Sequence, residues 1–356
     1  MSATPGERIL VLPELRNFFV EGLAGADWDQ ILWSRSMYLD DDLTDVLPAA
    51  RRAGPRALLR TLASTPARAV QVPEPLWVRQ LLLSTACLAV LKLRALIARR
   101  PVRTAAVAIE NASPEALASV VPLLPARAAL LLLRVLVRCN LALLDELWYA
   151  TRGARDAHVA LFGRDPVAFV ADGGVAELAP VRCACLTDGT TPETDEFVYA
   201  GAFEERKGLR LLLRAWTELE HRTDDGHLVL IGAGPLRDEL VAAAAGLSRV
   251  EIVESPERAE IHRRLRGAQA VVLLSQRDGR WREQIGSVIQ EGLSHGCAVV
   301  TTDETGLAEQ GHAVVPADAT AEVVAEALLT ALKAPRTAVA DIPGTRGAPS
   351  DRWWFN

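Results

Sequence analysis

Two glutamates lie close to a turn that could bind an anion. Glu283 precedes this turn, and Glu291 lies within a helix that we predict for residues 287–295. Ser287 is a residue type that caps helix N-termini, and a glycine follows the predicted helix. Gly286 would let the backbone approach a ligand, and the free amides of a first helical turn favour an anion. A ligand with central phosphates and hydroxyls at both ends, such as a nucleotide sugar, fits this pattern. The alternative is a solvated surface helix with two ordinary glutamates.

Further candidate ligands of a diphosphate lie in the second half of the chain. Gly201 ends a predicted strand, and Arg206 and Lys207 follow directly before a predicted helix. Arginine binds phosphates with a planar fork and lysine binds them as a point charge. A solvated basic pair is the alternative. The turn Gly232–Gly234 also permits close backbone approach, but the third glycine of a dinucleotide-binding fingerprint is missing.

Short apolar strands alternate with helices along the chain, which predicts parallel sheets covered by helices. Strands are predicted at Arg8–Pro13, Asp27–Trp33, Ala67–Val72, Arg103–Ile109, Leu147–Thr151, Val167–Val170, Phe197–Ala200, Leu228–Ile231, Val250–Val253, Ala270–Leu274, Ala298–Thr302 and Ala313–Val315. Helices of the first half are predicted at Asn17–Ala26, Leu47–Leu62, Leu76–Arg99, Pro114–Leu124, Arg127–Leu143 and Ala154–Phe162, with an acidic turn at Asp40–Asp45. Ligands of such sheets bind at the carboxyl ends of the strands, where the candidate residues are expected.

Two α/β domains account for the length of 356 residues. The polar segment Thr187–Asp195 is rich in residues that break helices and strands, so it is predicted to link the domains. We therefore predict Rossmann-like domains at residues 1–190 and 191–356, facing each other across a cleft. The aromatic residues within Arg352–Asn356 are predicted to dock on the body of the protein.

The composition of the chain limits its possible binding partners and its cellular compartment. The net charge of −6 gives no support for a nucleic acid partner. The five cysteines are few and lack a typical zinc spacing, because Cys183-Ala184-Cys185 alone is too weak a signal. No signal segment is expected, since residues 1–16 lack an apolar core. The apolar segments 81–91 and 116–144 are too short or too interrupted to span a membrane. We predict a cytoplasmic protein in which both segments are core helices, although one could rest on the inner face of a membrane.

Taken together and in order, the segments of the second half resemble the nucleotide-sugar half of the family 4 retaining glycosyltransferases, which have the two-domain GT-B fold. The resemblance covers about residues 197–332 and is only general before them. The matching segments are Val198–Gly201, Lys207–Gly208, Leu230–Pro235, Leu273–Ser275, Glu283–Glu291, Gly296 and Ala298–Thr302.

The resemblance implies a role for each charged residue. Glu283 would hold hydroxyls of the donor sugar, and Glu291 would hold the ribose hydroxyls. Lys207, together with Arg206, would neutralise the diphosphate. The other implied donor-binding residues are Gly201, Gly232, Gly234, Ser275, Ile285, Gly286 and Ser287.

The resemblance also implies hexosyl transfer with retention, without a cofactor or a metal ion. Negative charge develops on the leaving nucleoside diphosphate, and fixed cations and helix amides can stabilise it. Such reactions are usually drawn as front-face attack, in which the leaving phosphate assists deprotonation of the acceptor. The acceptor is not defined by the sequence; a glycan, a lipid-linked sugar and a secondary metabolite all fit.

Two departures from the family pattern affect these expectations. Ala202 stands where an arginine is common in the family, so either Arg206 takes the role of that arginine or phosphate binding is weaker. Many members of the family present a histidine from the first half of the chain near the donor sugar. No histidine precedes His158 in this sequence, so no such histidine is available. The strand end Glu110-Asn111 lies about where that group would be presented. These two residues are candidates for contact with the sugar or acceptor, or alternatively they cap the following helix.

Other functions with the same fold remain as alternatives. A catalytically degenerate nucleotide-sugar-binding protein would keep the donor site and lack transfer. A nucleotide-sugar epimerase would need acid and base residues in the first half, where histidine is scarce. A phosphorylase would need a lysine for pyridoxal phosphate, and none of the lysines has that context.

Overall fold

The computed structural model describes residues 8–15, 23, 28–36, 47, 49–176, 178, 180, 182, 183, 185, 186, 194–279 and 281–342. These residues form two compact units, divided after Leu178. Four predicted segments lie wholly or largely outside the described residues: the helix Asn17–Ala26, the turn Asp40–Asp45, the linker Thr187–Asp195 and the tail Arg352–Asn356.

The N-terminal unit is built on seven parallel strands. They are β1 (Arg8–Leu15), β2 (Gln30–Ser36), β3 (Ala50–Arg52), β4 (Ala69–Val72), β5 (Arg103–Ala108), β6 (Glu146–Tyr149) and β7 (Asp172–Val175). Their order in the sheet is β3-β2-β1-β4-β5-β6-β7. The strand order reverses between β1 and β4, so the switch point of this sheet lies between these two strands.

Helices of the N-terminal unit are α1 (Pro55–Ser64), α2 (Val78–Ala98), α3 (Pro114–Ala118), α4 (Ala126–Leu141) and α5 (Arg152–Phe162), with a 3-10 turn at Pro166–Phe169. The helix α2 has two different faces. Leu81, Leu88 and Leu91 are buried, whereas Leu96 and Ile97 are 76% and 74% exposed. Among the described residues, α2 is the one helix that is long and apolar enough to cross a membrane, a test that core helices of soluble proteins also pass.

The C-terminal unit is built on six parallel strands. They are β8 (Glu196–Ala200), β9 (His227–Ile231), β10 (Val250–Val253), β11 (Ala270–Leu273), β12 (Ala298–Thr302) and β13 (Ala313–Val315). Its helices are α6 (Leu209–Glu220), α7 (Arg237–Ala244), α8 (Arg258–Gly267), α9 (Ser287–Leu293) and α10 (Ala321–Leu332), with 3-10 turns at Glu205–Lys207, Ala308–Gln310 and Val339–Asp341. The order β10-β9-β8-β11-β12-β13 places the switch point between β8 and β11.

Two sequence predictions are wrong in the N-terminal unit. Residues 47–62 were predicted as one helix, but they contain the edge strand β3 before α1 begins at Pro55. The predicted strand Val167–Val170 overlaps the 3-10 turn, and the strand β7 follows it. Both errors arise where the strand is short and lacks a run of apolar side chains, because β3 reads Ala-Arg-Arg and β7 reads Asp-Gly-Gly-Val.

Candidate functional site

A largely buried ion pair lies at the switch point of the C-terminal sheet. Lys207, in the turn after β8, forms a salt bridge with Glu283 Oε2, and the two side chains are 15% and 13% exposed. Ser275, shortly after β11, donates a hydrogen bond to the same carboxylate oxygen at 3.1 Å. Three residues predicted for the site therefore meet where an open parallel sheet binds its ligands.

Arg206 lies beside this pair on an aromatic ring. Its guanidinium carbon is 3.9 Å from the ring centre of Trp281, and Lys207 Nζ is 5.3 Å from the same centre. Arg206 also forms a 2.5 Å salt bridge with Glu204. A cation over an aromatic face is stabilised by the ring quadrupole, so Trp281 helps to hold both cations in place. No role for the ring of Trp281 was predicted from the sequence.

A tight turn positions the two cations. Glu205–Lys207 form a 3-10 turn, and Gly208, with a φ of 69°, follows it before α6. A Cβ at Gly208 would lie 2.0 Å from the carbonyl oxygen of Leu274. Only glycine allows this turn to pack against the end of β11. The amide of Gln276 donates to the carbonyl of Arg206 at 2.8 Å, which ties the turn to the loop after β11.

The backbone at Glu283 is held by the loop after β12. Glu283 and Thr305 form a bridge of parallel type, and the Gly306 amide donates to the Glu283 carbonyl at 3.0 Å. A Cβ at Gly306 would lie 1.7 Å from the carbonyl oxygen of Gln284. The segment that carries Glu283 is therefore packed closely against the segment that carries Gly306.

Glu291 lies in α9 and is paired with an arginine. The helix begins at Ser287 as predicted, but the N-cap is Gly286, not Ser287, and no side chain caps it. Glu291 Oε2 lies 3.3 Å from Arg258 Nη1 of α8, and the side chains are 11% and 18% exposed. Arg258 could not be predicted from the sequence, because it lies on a different helix and outside the motifs that indicate the site.

The predicted donor-binding glycines pack against protein backbone. A Cβ at Gly232 would lie 1.9 Å from the carbonyl oxygen of Gly201, and one at Gly234 would lie 2.6 Å from that of Phe203. These contacts bring together the turns after β8 and β9. Contact of Gly201, Gly232 and Gly234 with a ligand stays a prediction, as it does for Ile285.

The predicted acceptor-side residues Glu110 and Asn111 follow β5 in the N-terminal unit. Neither residue caps α3, because Ser113 is the N-cap and accepts a hydrogen bond from the Ala116 amide. Glu110 Oε1 accepts a hydrogen bond from the Ala112 amide at 3.0 Å, and Asn111 is buried. The capping alternative is therefore wrong. Contact with a sugar or an acceptor stays a prediction.

Glu74 is a buried carboxyl group that no sequence motif indicates. It follows β4, is 3% exposed, and accepts backbone hydrogen bonds from Ile109 at 3.1 Å and from Glu110 at 3.0 Å. Burial, followed by the negative charge of Glu110, raises the pKa of Glu74 from 4.5 to about 8. Glu74 therefore holds a proton at neutral pH. It lines a pocket at the switch point of the N-terminal sheet, together with Val11, Leu12, Glu14 and Trp77.

Comparison with known proteins confirms the predicted resemblance for the C-terminal unit. Residues 194–334 match the family model described as "Glycosyl transferases group 1". No curated protein sequence matches the chain. The assignment to family 4 within this class stays a prediction.

Solved structures of glycosyltransferases cover nearly the whole chain. HepE from Anabaena, in complex with UDP and glucose, is 14% identical with a TM-score of 0.60, covering 92% of this chain and 90% of that chain. The apo lipopolysaccharide outer core galactosyltransferase WaaB is 13% identical with a TM-score of 0.56, covering 95% and 94%. A UDP-forming trehalose-phosphate synthase from Burkholderia xenovorans is 14% identical with a TM-score of 0.54, covering 95% and 92%. The prediction of a GT-B fold with two parallel-sheet α/β domains is confirmed.

Proposed function

We propose that this chain is a retaining glycosyltransferase, which moves a sugar from a nucleoside-diphosphate sugar to an acceptor hydroxyl. The observation that carries the proposal is the Lys207–Glu283 pair with Ser275 at the switch point of the C-terminal sheet. This sheet lies in the region that matches the glycosyltransferase family model. HepE, which has the same fold, was solved with UDP and glucose, which supports a donor of this chemical class.

The donor would bind along the carboxyl edge of β8 and β11. Lys207 and Arg206 would neutralise the diphosphate, while Glu283 would hold sugar hydroxyls and Glu291 the ribose. Arg258 would position the Glu291 carboxylate through their contact of 3.3 Å. Fixed cations stabilise the charge that develops on the leaving group, so this chemistry needs neither a cofactor nor a catalytic metal ion.

A nucleoside diphosphate is expected to stabilise the fold without an added divalent cation. A ligand at about ten times its Kd, bound only to the folded state, adds about 1.4 kcal/mol to the free energy of unfolding. Melting temperatures measured with a panel of nucleoside diphosphates, with and without Mg²⁺ or Mn²⁺, check this. Arg206→Ala should reduce the shift, whereas Arg237→Ala, an exposed arginine paired with Glu254, is the matched control. A shift seen only with the added cation would contradict the metal-independent mechanism.

The same samples distinguish the alternative functions. A transferase releases free sugar from the stabilising donor when water replaces the acceptor. Binding without release would favour the catalytically degenerate binding protein. Conversion of the donor into a stereoisomer would favour the epimerase.

The exposed face of α2 supports a peripheral membrane contact and a partly apolar acceptor. Leu93, Leu96 and Ile97 are each more than half exposed on this helix, and the exposed residues Arg99 and Arg100 follow it. Apolar side chains next to basic ones bind the surface of an anionic bilayer. We therefore propose that α2 rests on the cytoplasmic face of a membrane, close to a lipid-linked acceptor.

Vesicle flotation tests this membrane contact. The full chain is expected to float with phosphatidylglycerol vesicles and less with phosphatidylcholine vesicles. The double variant Leu96→Asp/Ile97→Asp should bind at least about tenfold more weakly, because two apolar contacts are lost. Val323→Asp, at a half-exposed position of α10, is the matched control. Equal flotation of the double variant and the wild type would contradict the proposal, as would wild-type protein that stays with the unbound fraction.

A further inference from the structure

Two cysteines and two histidines converge within the C-terminal unit, and none of them belongs to the Lys207–Glu283 pair. Cys183 and Cys185 precede β8, His262 lies in α8, and His295 follows α9. One ligand atom from each side chain lies within 4.8 Å of every other one. Four such atoms from three separate segments form a closed cluster of the ligand types that zinc prefers.

The spacing of these atoms fits a tetrahedral ion. Zinc bonds of about 2.3 Å to sulfur and about 2.0–2.1 Å to nitrogen place the ligand atoms about 3.3–3.8 Å apart. The two sulfurs are 3.2 Å apart, and His262 Nδ1 is 3.3 Å from His295 Nε2. Cys183 Sγ lies 3.5 Å from His262 Nδ1, and Cys185 Sγ lies 3.1 Å from His295 Nε2. A small outward relaxation of the sulfurs would admit the ion.

Hydrogen bonds around the cluster orient its ligands. His295 Nδ1 lies 2.6 Å from the backbone carbonyl oxygen of Glu291, so this nitrogen carries the proton and Nε2 presents its lone pair to the cluster. The Cys183 amide donates to the carbonyl of Ser294 at 3.0 Å, which fixes the cysteine segment beside the end of α9. Two thiolates would balance the charge of a divalent ion, which suits a partly buried site.

We propose that Cys183, Cys185, His262 and His295 bind one structural zinc ion. Four protein ligands leave no open position for water or substrate, so the ion holds segments together and does not take part in transfer. It links the segment before β8 to α8 and to the end of α9. Through the bond from His295 to the Glu291 carbonyl, it also steadies the helix that carries Glu291.

A disulfide between Cys183 and Cys185 is the competing use of these cysteines. The sulfurs are 3.2 Å apart, well beyond the length of about 2.05 Å of a disulfide bond. A disulfide would also leave the two histidines facing each other without an ion. The zinc site uses all four side chains.

Metal analysis of the purified full chain tests the proposal. Elemental mass spectrometry is expected to find about one zinc per chain after gel filtration, and an organomercurial should release it as the thiols react. Cys185→Ser and His262→Ala should each lower the zinc content at least about fivefold. Cys139→Ser, an exposed cysteine of α4, is the matched control and should keep the ion.

Two results would overturn the zinc site. One is wild-type protein that holds less than about 0.2 zinc per chain after refolding with zinc and reductant. The other is native protein whose mass is lower by two hydrogens, which would show the disulfide. If the variants do not fold, the mercurial titration of wild-type protein still decides, because release of zinc in step with thiol modification requires cysteine ligands.

Discussion

Replacing Lys207 by alanine is expected to lower the rate of donor cleavage at least about 100-fold, the usual loss for one group that stabilises a developing anion. Lys207 is 15% exposed, so water cannot replace its charge effectively at the leaving diphosphate. The measurement is the steady-state rate of nucleoside diphosphate release at saturating donor. The acceptor is water, or an acceptor identified by screening. A rate within about threefold of wild type would contradict the assignment.

The effect of Lys207→Ala on the rate must be distinguished from its effect on stability, because removing Lys207 leaves the Glu283 carboxylate without its cation. That loss alone can destabilise the fold by several kcal/mol. The double variant Lys207→Ala/Glu283→Gln removes both charges and should recover much of the stability. Its rate should stay at least as low as that of Lys207→Ala, since both residues would contact the donor. Recovery of the rate along with the stability would show that Lys207 only serves the fold.

Variants of Glu283 and Glu291 are expected to have different kinetic effects in the same assay. Glu283→Gln keeps the size of the side chain and removes its charge, so turnover should fall at least about tenfold with a smaller change in donor affinity. Glu291→Ala should mainly raise the donor KM, because the ribose does not change during transfer.

The contribution of Glu74 to the free energy of unfolding is expected to fall by up to about 3 kcal/mol as the pH rises from about 5 to 8. Its folded pKa of about 8 lies above the value of 4.5 for an unperturbed glutamate. Between these values the folded protein keeps a proton that the unfolded chain has released. Through this group, raising the pH therefore favours the unfolded state across this interval.

Glu74→Gln isolates this contribution, because glutamine resembles the protonated carboxyl group and does not titrate. Denaturant unfolding of both proteins at several pH values should show the variant gaining on wild type as the pH rises. Glu110→Gln removes the second cause of the shift, so it should reduce the slope without abolishing it. Parallel stability curves for wild type and Glu74→Gln would contradict the raised pKa.

The strands of the C-terminal unit were predictable because each is a short apolar run between turn residues. Lys207, Ser275 and Glu283 could be placed at one edge for the same reason, since parallel strands align their carboxyl ends. Their mutual contacts could not be predicted, because a salt bridge between residues far apart in the chain depends on the strand order. The contacts of Trp281 and Arg258 could not be predicted for the same reason.

Glu74 and the cysteine–histidine cluster show another limit. A glutamate after Pro73 at a strand end is typical of a surface residue. Its local sequence gives no sign that the amides of Ile109 and Glu110 bind the carboxyl group. The metal ligands come from three segments, and the pair Cys183-Ala184-Cys185 carries no sign of the histidines. No motif with fixed spacing can represent such a site.

The position of the ion pair in the sheet has a consequence for local unfolding. β8 and β11 are inner strands with neighbours on both sides, whereas β10 and β13 form the two margins of the sheet. Amide protons at margins exchange with solvent through small openings, and those of inner strands require larger, rarer ones. The loops that carry Lys207 and Glu283 follow β8 and β11, the inner strands whose hydrogen bonds require the larger and rarer openings. Fraying of the margins would thus leave the charged site assembled.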